Sequence, residues 1–476
     1  MLSELIPVLP EIVLLAAICI VLLVDLWVPA DQRQVTFTLT QAALLATLVT
    51  LFVVQPDSAR VVLSGAYIAD DMSLLLKAVI LVVSMFVFVY SRPYLQVRGM
   101  MQGEYLVLGL CGVLGMMIMV SGYNMLSLYL GLELLALCQY AMVAFRRESP
   151  RASEAAMKYF VLGALASGML LYGMSLVYGM TGSLGIMEIH NHIVREGVES
   201  PGLLLGMVFV IVGLGFKLGA VPFHSWVPDV YEGAPTAVTL YIGAAPKIAA
   251  FVLIMRLLVE GLGALHAEWQ IMLAALAVAS LVIGNVVAIA QTNLKRMLAY
   301  STISHVGFIL LGILAGTEQG YAAAMFYVVV YALSTTAAFG MIILLSRRGH
   351  EAETLADFKG LNERSPWYAL MMLFVMFSMA GVPPLVGFYA KLSVLRAVVQ
   401  VEMVWLAVVA VVMSIVGAFY YLRLVKMMYF DDRADDGELQ SGAGFQAALS
   451  VNGVAILALG FYPAALMSFC IAAVSW

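Results

Sequence analysis

One short stretch of this chain, residues 213–235, places a lysine and a histidine on either side of a proline. Lys217 lies near the end of a long apolar run, Pro222 follows, and His224 comes directly after the proline. Because proline has no N–H, a helix would break here and leave the carbonyl of Leu218 without its helical partner. A buried cation beside a broken membrane helix is typical of ion and proton transporters. The alternative is a lysine that extends to the membrane surface over a simple proline kink.

Other ionisable side chains also lie inside apolar runs, where inserting one charge costs at least about 2.5–3.5 kcal/mol. The relay candidates among them are Glu133, Lys158, Lys247, His305 and Lys391, and the apolar runs also contain Asp25, Lys77 and Arg396. Prolines accompany two of the lysines: Pro246 directly precedes Lys247 and frees the carbonyl of Ile242, and Pro383 and Pro384 come shortly before Lys391. Lysine, glutamate and histidine can each accept and release a proton, so the set predicts a proton relay within the membrane.

Each candidate also has a structural interpretation. Glu133 could be a neutral carboxyl bonded to the backbone, and Lys158 could extend to the interface beside Arg151. His224 and His305 could be buried for packing alone. Asp25 and Lys77 lie near the ends of their apolar runs and are expected at the interface. Five tryptophans at run ends suit the aromatic belts of membrane proteins (Trp27, Trp226, Trp269, Trp367 and Trp405).

The composition excludes a soluble domain. Hydrophobic residues make up 63% of 476 positions, charged residues make up 11%, and the mean hydropathy is +1.00. The chain is therefore expected to be an all-α polytopic membrane protein. Its first 28 residues carry Glu4 and no basic residue, which argues against a cleaved signal peptide.

The sequence also lacks the patterns of cofactor sites. The 4 cysteines lie in apolar runs without paired spacing, which argues against disulfides, metal sites and iron–sulfur clusters. There is no glycine-rich phosphate loop, zinc-protease motif or nucleophile elbow. We expect the chain to bind no metal or nucleotide, so that any redox chemistry lies elsewhere.

Apolar segments long enough to cross a membrane number about fourteen. They are at 5–28, 35–54, 71–91, 104–120, 123–145, 154–180, 202–222, 236–259, 270–290, 297–315, 320–346, 367–398, 403–428 and 446–475. Most loop lysines and arginines then fall on one side, and the other side has only Arg60, Arg195 and Arg256. The positive-inside rule predicts that the first side is cytoplasmic and that both termini are periplasmic.

The spacing of the breaks suggests an internal repeat. Segments four to eight and nine to thirteen form two five-helix sets, and the fourth member of each set, helix 7 or helix 12, is broken at Val-Pro. An odd number of helices per set makes the repeats inverted. The predicted parts are an N-terminal three-helix part (1–100), two repeats (101–260 and 261–430), and a C-terminal loop with the last helix (431–476).

Several blocks of the sequence resemble a known family. They are Gly131-Leu-Glu-Leu, Ala156-Met-Lys-Tyr-Phe, Gly215-Phe-Lys-Leu, Val221-Pro-Phe-His, Pro228-Asp-Val-Tyr-Glu-Gly-Ala-Pro, Gln291-Thr-Asn-Leu-Lys-Arg and Ser304-His-Val-Gly. The chain resembles, over nearly its whole length, the antiporter-like subunits of respiratory complex I. This family includes the large subunits of multi-subunit cation/proton antiporters.

The resemblance implies a proton-translocating subunit in the bacterial inner membrane. It implies that Glu133 pairs with Lys217 (Lys158 being an alternative neighbour), that Lys247 is the central relay, and that Lys391 controls the exit. His224 and His305 fit secondary relay positions.

By the same resemblance, NADH, FMN, iron–sulfur clusters and quinone belong to partner subunits, and no nucleic acid is involved. Two alternatives stay open: a subunit of a sodium/proton antiporter, and a scaffold whose charges only hold helices together.

Overall fold

The computed structural model describes residues 2–29, 32–56, 58–197, 200–433 and 442–475. Part of the predicted C-terminal loop, residues 434–441, lies outside this range. Within it the protein is a bundle of α-helices with one antiparallel pair of short strands.

The N-terminal part contains α1 (Leu2–Leu5), α2 (Leu9–Asp25), α3 (Gln34–Val53), β1 (Arg60–Val62), β2 (Tyr67–Ala69) and α4 (Asp71–Val97). The second part contains α5 (Gly103–Ser121), α6 (Met125–Val143), α7 (Pro150–Thr181), α8 (Ile186–Glu196), α9 (Pro201–Leu218), α10 (Trp226–Gly233), α11 (Thr236–Gly243) and α12 (Ala245–Ile254), which continues as a π-helix (Met255–Gly261).

The third part contains α13 (His266–Ile289), α14 (Leu294–Leu314), α15 (Glu318–Leu345), α16 (Leu361–Arg364), α17 (Pro366–Ala380), α18 (Val386–Gln400) and α19 (Val404–Phe430). The last part contains α20 (Ala443–Phe461) and α21 (Ala464–Ala472). Short 3-10 turns occur at Ile6–Val8, Gly263–Leu265 and Leu355–Phe358.

The number of membrane crossings agrees with the sequence. In the described ranges, 13 helices are long and apolar enough to span a membrane. The predicted twelfth span is not among them because it consists of two shorter helices, α17 and α18. The prediction of an all-α polytopic membrane protein with about fourteen spans is confirmed. The division into two inverted repeats and the four part boundaries stay predictions.

Glycine and proline together interrupt the helices near the lysines. Helix α9 ends at Leu218 and α17 ends at Ala380, and each is followed by a glycine with positive φ, Gly219 (φ +81°) and Gly381 (φ +85°). This left-handed conformation is available to glycine at little cost and ends a helix. Pro222 and the pair Pro383 and Pro384 lie in the loops that follow. A third interruption, at Ala244, separates α11 from α12 just before Pro246.

Ion pairs at one end of the bundle join loops that are distant in sequence. Arg98 contacts Glu351 at 2.5 Å, and Glu353 contacts Lys295 at 2.9 Å and Arg151 at 3.3 Å. We call this end, defined by these five residues, the ion-pair face. The loops after α6 and after α15 therefore lie on the same face, as the predicted alternation requires.

The other end, which we call the opposite face, is held together by different contacts. Gly122 pairs with Tyr67, and Asn124 pairs with Gly185 at the start of α8. Arg256 contacts Asp70 at 2.8 Å. Arg256, which the span boundaries placed near a loop, is in fact fully buried in the π-helix that follows α12. The assignment of the ion-pair face to the cytoplasm stays a prediction.

The expected position of Lys77 at the interface is wrong. Its side chain is 2% exposed and forms an ion pair with Glu11 of α2. A position near the end of an apolar run does not reveal that a neighbouring helix covers it, and the acidic partner comes from a different span.

Candidate proton-relay site

Lys247 lies in the most deeply buried part of the bundle. The span formed by α11, α12 and the π-helix is almost wholly enclosed by protein, as are α14 and α15. The Lys247 ammonium donates a hydrogen bond of 2.8 Å to the carbonyl of Leu218, the last residue of α9. The carbonyl that the sequence predicted to lack a partner is therefore bonded. Among the described residues, no carboxylate lies within ion-pair distance of Lys247.

A cavity of about 30 Å³ lies beside this lysine. We call it the Lys247 cavity, and its polar lining consists of Lys217, Lys247, Gln139, Tyr159 and Trp226. By volume it has room for about two water molecules. The Tyr159 hydroxyl donates to Gln139 at 2.7 Å, and the Tyr159 ring stacks on Trp226 at 4.7 Å. The cavity thus brings two of the predicted lysines to one polar space.

The predicted ion pair between Glu133 and Lys217 is not formed in this structure. No hydrogen bond or ion pair joins the two side chains. Glu133 is half-buried, and its Oε1 is buried without a hydrogen-bond partner among the described residues. In this structure, α6 therefore does not place Glu133 in contact with Lys217 on α9.

Lys391 repeats the arrangement of Lys247 at the second break. Its ammonium donates to the carbonyl of Ala380, the last residue of α17, at 2.9 Å and to Ser414 Oγ at 2.8 Å. The ring of Phe308 lies 5.1 Å away. As for Lys247, no described carboxylate lies within ion-pair distance. Both lysines therefore bind the carbonyl end of a half-helix instead of a counter-ion.

His305 lies on α14 next to Lys391. The two side chains line one cavity of about 10 Å³, which has room for about one water molecule. The imidazole is hydrogen-bonded on both nitrogens, at 2.7 Å from Nδ1 to the Tyr327 hydroxyl and at 3.1 Å from Nε2 to the Tyr421 hydroxyl. A histidine bonded on both sides can pass a proton between its nitrogens.

The remaining two candidates lie outside these cavities. Lys158 is 43% exposed on the ion-pair face and contacts Glu154 at 2.8 Å and Asp229 at 2.9 Å. His224 lies in the break between α9 and α10 and is half-buried, and its Nδ1 has no hydrogen-bond partner in the part of the chain that the structure describes. The structure brings Lys217 and Lys247 together, and His305 and Lys391 together, but not Lys158 with Lys217.

Two tryptophans expected in aromatic belts are buried instead. Trp226 is 2% exposed, its ring lies 5.2 Å from the Lys247 ammonium, and its indole N–H donates to Phe216. Trp269 is also buried and donates to Leu262. Tyr159, Gln139, Tyr327 and Tyr421 were not singled out from the sequence. The one available signal was the position of Trp226 two residues after His224, at the break.

The ion-pair face carries a polar cavity of about 180 Å³ lined by Arg151, Lys158, Asp229, Glu232 and Arg296, among others. Next to it, burial alone would raise the pKa of the Glu353 carboxyl. The Lys295 ammonium and the Arg151 guanidinium outweigh this effect and hold the pKa below its ordinary value. Glu353 is therefore ionised at neutral pH.

Comparison with known proteins gives one family and close relatives. The family described as "NADH:quinone oxidoreductase/Mrp antiporter, TM" matches residues 122–417. A protein of Thioalkalivibrio sulfidiphilus named NADH-quinone oxidoreductase subunit N is 61% identical over 472 residues, which cover 99% of this chain and 98% of that protein. A protein of the same name from Alkalilimnicola ehrlichii is 56% identical over 466 residues, covering 98% and 96%.

Solved structures show the same architecture. A chain of respiratory complex I from Thermus thermophilus with bound aureothin is 31% identical, with a TM-score of 0.82, and the match covers 96% of this chain and 98% of that one. A chain of the Mrp complex from Dietzia has a TM-score of 0.86 over 100% of this chain and 97% of that one. At 21% identity, it shows the fold alone.

Proposed function

This chain belongs to the NADH:quinone oxidoreductase/Mrp antiporter family, and from that membership we propose that it moves protons through the buried lysine sites. It is a membrane-arm subunit of a bacterial NADH:quinone oxidoreductase and corresponds to subunit N. It translocates protons as part of respiratory complex I, and the other subunits of that complex are its partners. The assignment of individual residues to the relay is the proposal developed below.

The proposal of a proton relay rests on the environment of Lys247. The residue is 2% exposed, and its ammonium is held by a helix carbonyl and an aromatic ring, with no carboxylate of the described residues in contact. Removing one partner of a buried ion pair leaves an uncompensated charge. An ammonium that has no counter-ion leaves no such charge behind when it loses its proton, because both the lysine and its surroundings are then neutral. Lys391 has the same kind of environment, so the chain offers two such exchange sites.

In the proposed route, protons reach the Lys247 cavity from the polar cavity on the ion-pair face. Asp229 and Lys158 lie in that polar cavity and give it groups that can exchange protons with water. Lys217 and Lys247 then share the proton, with Glu133 acting on Lys217 through its charge. His305 passes it to Lys391, and His224 serves as a secondary site at the break.

The chain is proposed to act without a cofactor of its own. NADH, FMN, iron–sulfur clusters and quinone are assigned to partner subunits, which supply the energy for translocation. A proton crossing a membrane gains or loses about 2.3 kcal/mol per 100 mV, so the relay must be driven from outside this chain. The chain is a multi-pass membrane protein, and we place it in the bacterial inner membrane with both termini in the periplasm.

The second candidate is a sodium/proton antiporter subunit, since the family that matches this chain also includes Mrp antiporters. Inverted membrane vesicles containing the intact complex separate the two. We expect NADH oxidation to drive proton uptake in sodium-free buffer, and Lys247→Met to abolish much of it at unchanged complex content. The exposed lysine Lys426 provides the control Lys426→Met, which should pump normally. Proton uptake that requires sodium would favour the antiporter, and normal uptake in Lys247→Met would reject the relay.

A further inference from the structure

A buried polar group lies in the N-terminal part, away from both lysine cavities. The ion pair of Glu11 on α2 with Lys77 on α4 is 7% and 2% exposed. The hydroxyl of Tyr67 bridges the two charges: it accepts from the Lys77 ammonium at 2.8 Å and donates to Glu11 Oε2 at 2.9 Å. We call these three residues the N-terminal triad.

A cavity of about 30 Å³ leads from this triad toward the surface. Lys77 and Tyr67 line its inner end, and Gln55, Ser58 and Asp71, which are all exposed, line its outer end. We call it the N-terminal cavity. Its volume has room for about two water molecules, and its polar lining suits them. The cavity therefore connects a buried ion pair with the opposite face of the bundle.

The same cavity is tied to the helix that carries Lys247. Asp70 lines the N-terminal cavity and bonds Arg256 Nη2 through both carboxylate oxygens, at 2.9 Å and 2.8 Å. Arg256 is fully buried and contacts Glu260 at 2.6 Å in the same π-helix. Because this π-helix continues α12, the ion pair of Asp70 with Arg256 joins the wall of the N-terminal cavity to the Lys247 helix.

We propose that the N-terminal triad is a further proton-binding site, which exchanges protons with the aqueous phase at the opposite face through the N-terminal cavity. In the exchange step, a hydronium ion in the cavity gives its proton to the Tyr67 hydroxyl oxygen while that hydroxyl passes its own proton to the Glu11 carboxylate. The products are the Glu11 carboxylic acid, an unchanged tyrosine and water. Lys77 stays an ammonium bonded to Tyr67, and the reverse step returns the proton. The site rests on the proposed function, since it supplies a route between the relay and that face.

A purely structural role fits the geometry less well. An ion pair that only holds two helices together is strongest when water is excluded, because attraction falls as the local dielectric rises. Here a cavity with polar lining residues is lined by Lys77 and Tyr67, two members of the triad. Tyr67 also places a hydroxyl that can donate and accept between the two charges, which a simple helix lock does not need.

Access of water is tested first, in the intact complex, with the 4 native cysteines of this chain replaced. Leu74 lines the N-terminal cavity, whereas Leu76 is fully buried and does not. A small membrane-impermeant thiosulfonate added at the opposite face should label Leu74→Cys and leave Leu76→Cys unlabelled. Equal protection of both cysteines would overturn the proposal.

Function is tested with Glu11→Gln, Lys77→Met and the double variant, by measuring complex content and proton uptake per NADH oxidised. Each single variant leaves one buried charge unpaired, so complex content should fall. The double variant removes both charges and should recover complex content but not proton uptake. A double variant that regains both would show that the pair is a structural lock and would overturn the proposal.

Tyr67→Phe keeps the ion pair and is the second measurement if the double variant does not accumulate. We expect it to assemble and to lose proton uptake, and normal uptake would overturn the proposal. Lys247→Met is measured in the same vesicles. If it loses uptake while the double variant pumps normally, only the N-terminal site is rejected. If Lys247→Met itself pumps normally, the proposed relay fails, and the labelling result still reports on the cavity.

Discussion

The Lys247 ammonium lies 2.8 Å from the carbonyl oxygen of Leu218, and it thereby binds the end of a half-helix that belongs to another span. Lys391 binds the corresponding carbonyl of Ala380, but from α18, which continues the same broken span. The carbonyl end of a helix is the negative end of its dipole and favours a cation by about 0.3–1 kcal/mol. Loss of the proton from Lys247 therefore loosens a contact between spans, whereas loss from Lys391 loosens a contact within one.

The first prediction separates a relay from a fixed charge at Lys247. Lys247→Arg keeps the positive charge but holds its proton at every physiological pH, and Lys247→Ala removes both charge and proton. We expect both variants to assemble and both to lose much of the proton uptake driven by NADH oxidation. Quinone reduction and proton uptake are measured on the same vesicles, with complex content determined. Full pumping by the arginine variant would contradict the relay role.

The second prediction concerns Glu133 and Lys217. Because no hydrogen bond or ion pair joins them, their coupling should be weak, at about 0.5 kcal/mol, the low end for interacting pairs. Glu133→Gln, Lys217→Met and the double variant form a double-mutant cycle, read out as resistance of the complex to unfolding by denaturant. A coupling of about 3 kcal/mol would instead indicate that the two side chains are in direct contact in the assembled complex.

The third prediction is a pH dependence on the ion-pair face. The pKa of Glu353 is lower in the folded protein than in the unfolded chain, so its contribution to stability is present above the unfolded pKa, near 4.3, and is lost as the pH falls through the lower folded value. Glu353→Gln should therefore reduce the free energy of unfolding by about 2 kcal/mol at pH 7. The deficit should shrink as the pH is lowered below the pKa of the carboxyl in the unfolded chain.

The control for this experiment is Glu363→Gln, since Glu363 is exposed on the same face. Denaturant unfolding of the solubilised complex at neutral and acidic pH measures both variants. A deficit of Glu353→Gln that stays constant on acidification would show that its ion pairs do not stabilise the fold.

The fourth prediction fixes the orientation in the membrane. Arg146, Arg195 and Arg348 are exposed, and the contacts of the structure put the first and third on the ion-pair face and the second on the opposite face. An impermeant maleimide should label Arg195→Cys in whole cells and Arg146→Cys and Arg348→Cys in inverted vesicles. The reverse pattern would invert the orientation, and labelling of all three from one side would contradict the arrangement of spans.

The interruptions of the helices could be predicted from the sequence alone. Pro222 and the pair Pro383 and Pro384 lack backbone donors, and glycines with positive φ occur directly at the helix ends before them. Lys247 was also identifiable, because an ionisable residue in the middle of an apolar span is costly wherever it packs.

The partners of these residues could not be read from the sequence. The carbonyl of Leu218 finds Lys247 only because tertiary packing brings α12 against α9. Trp226 was expected at the membrane surface, but α10 lies within the bundle and turns the indole toward Lys247. Likewise, the burial of Lys77 depends on Glu11, which another helix supplies.

The ion-pair face has a consequence for the order of biosynthesis. Arg98 and Glu351 are 253 positions apart, and Arg151 and Glu353 are 202 positions apart. When a ribosome has completed the first ten spans, neither glutamate has yet been synthesised, and Lys295 lacks the same acidic partner. The ion pairs of Arg98, Arg151 and Lys295 with these glutamates can therefore form only after the eleventh span has been made. The contacts of Glu11 with Lys77 and of Asp70 with Arg256 join only residues of the first eight spans and do not have to wait for it. Chains truncated before residue 351 lack both glutamates that join the distant loops of the ion-pair face.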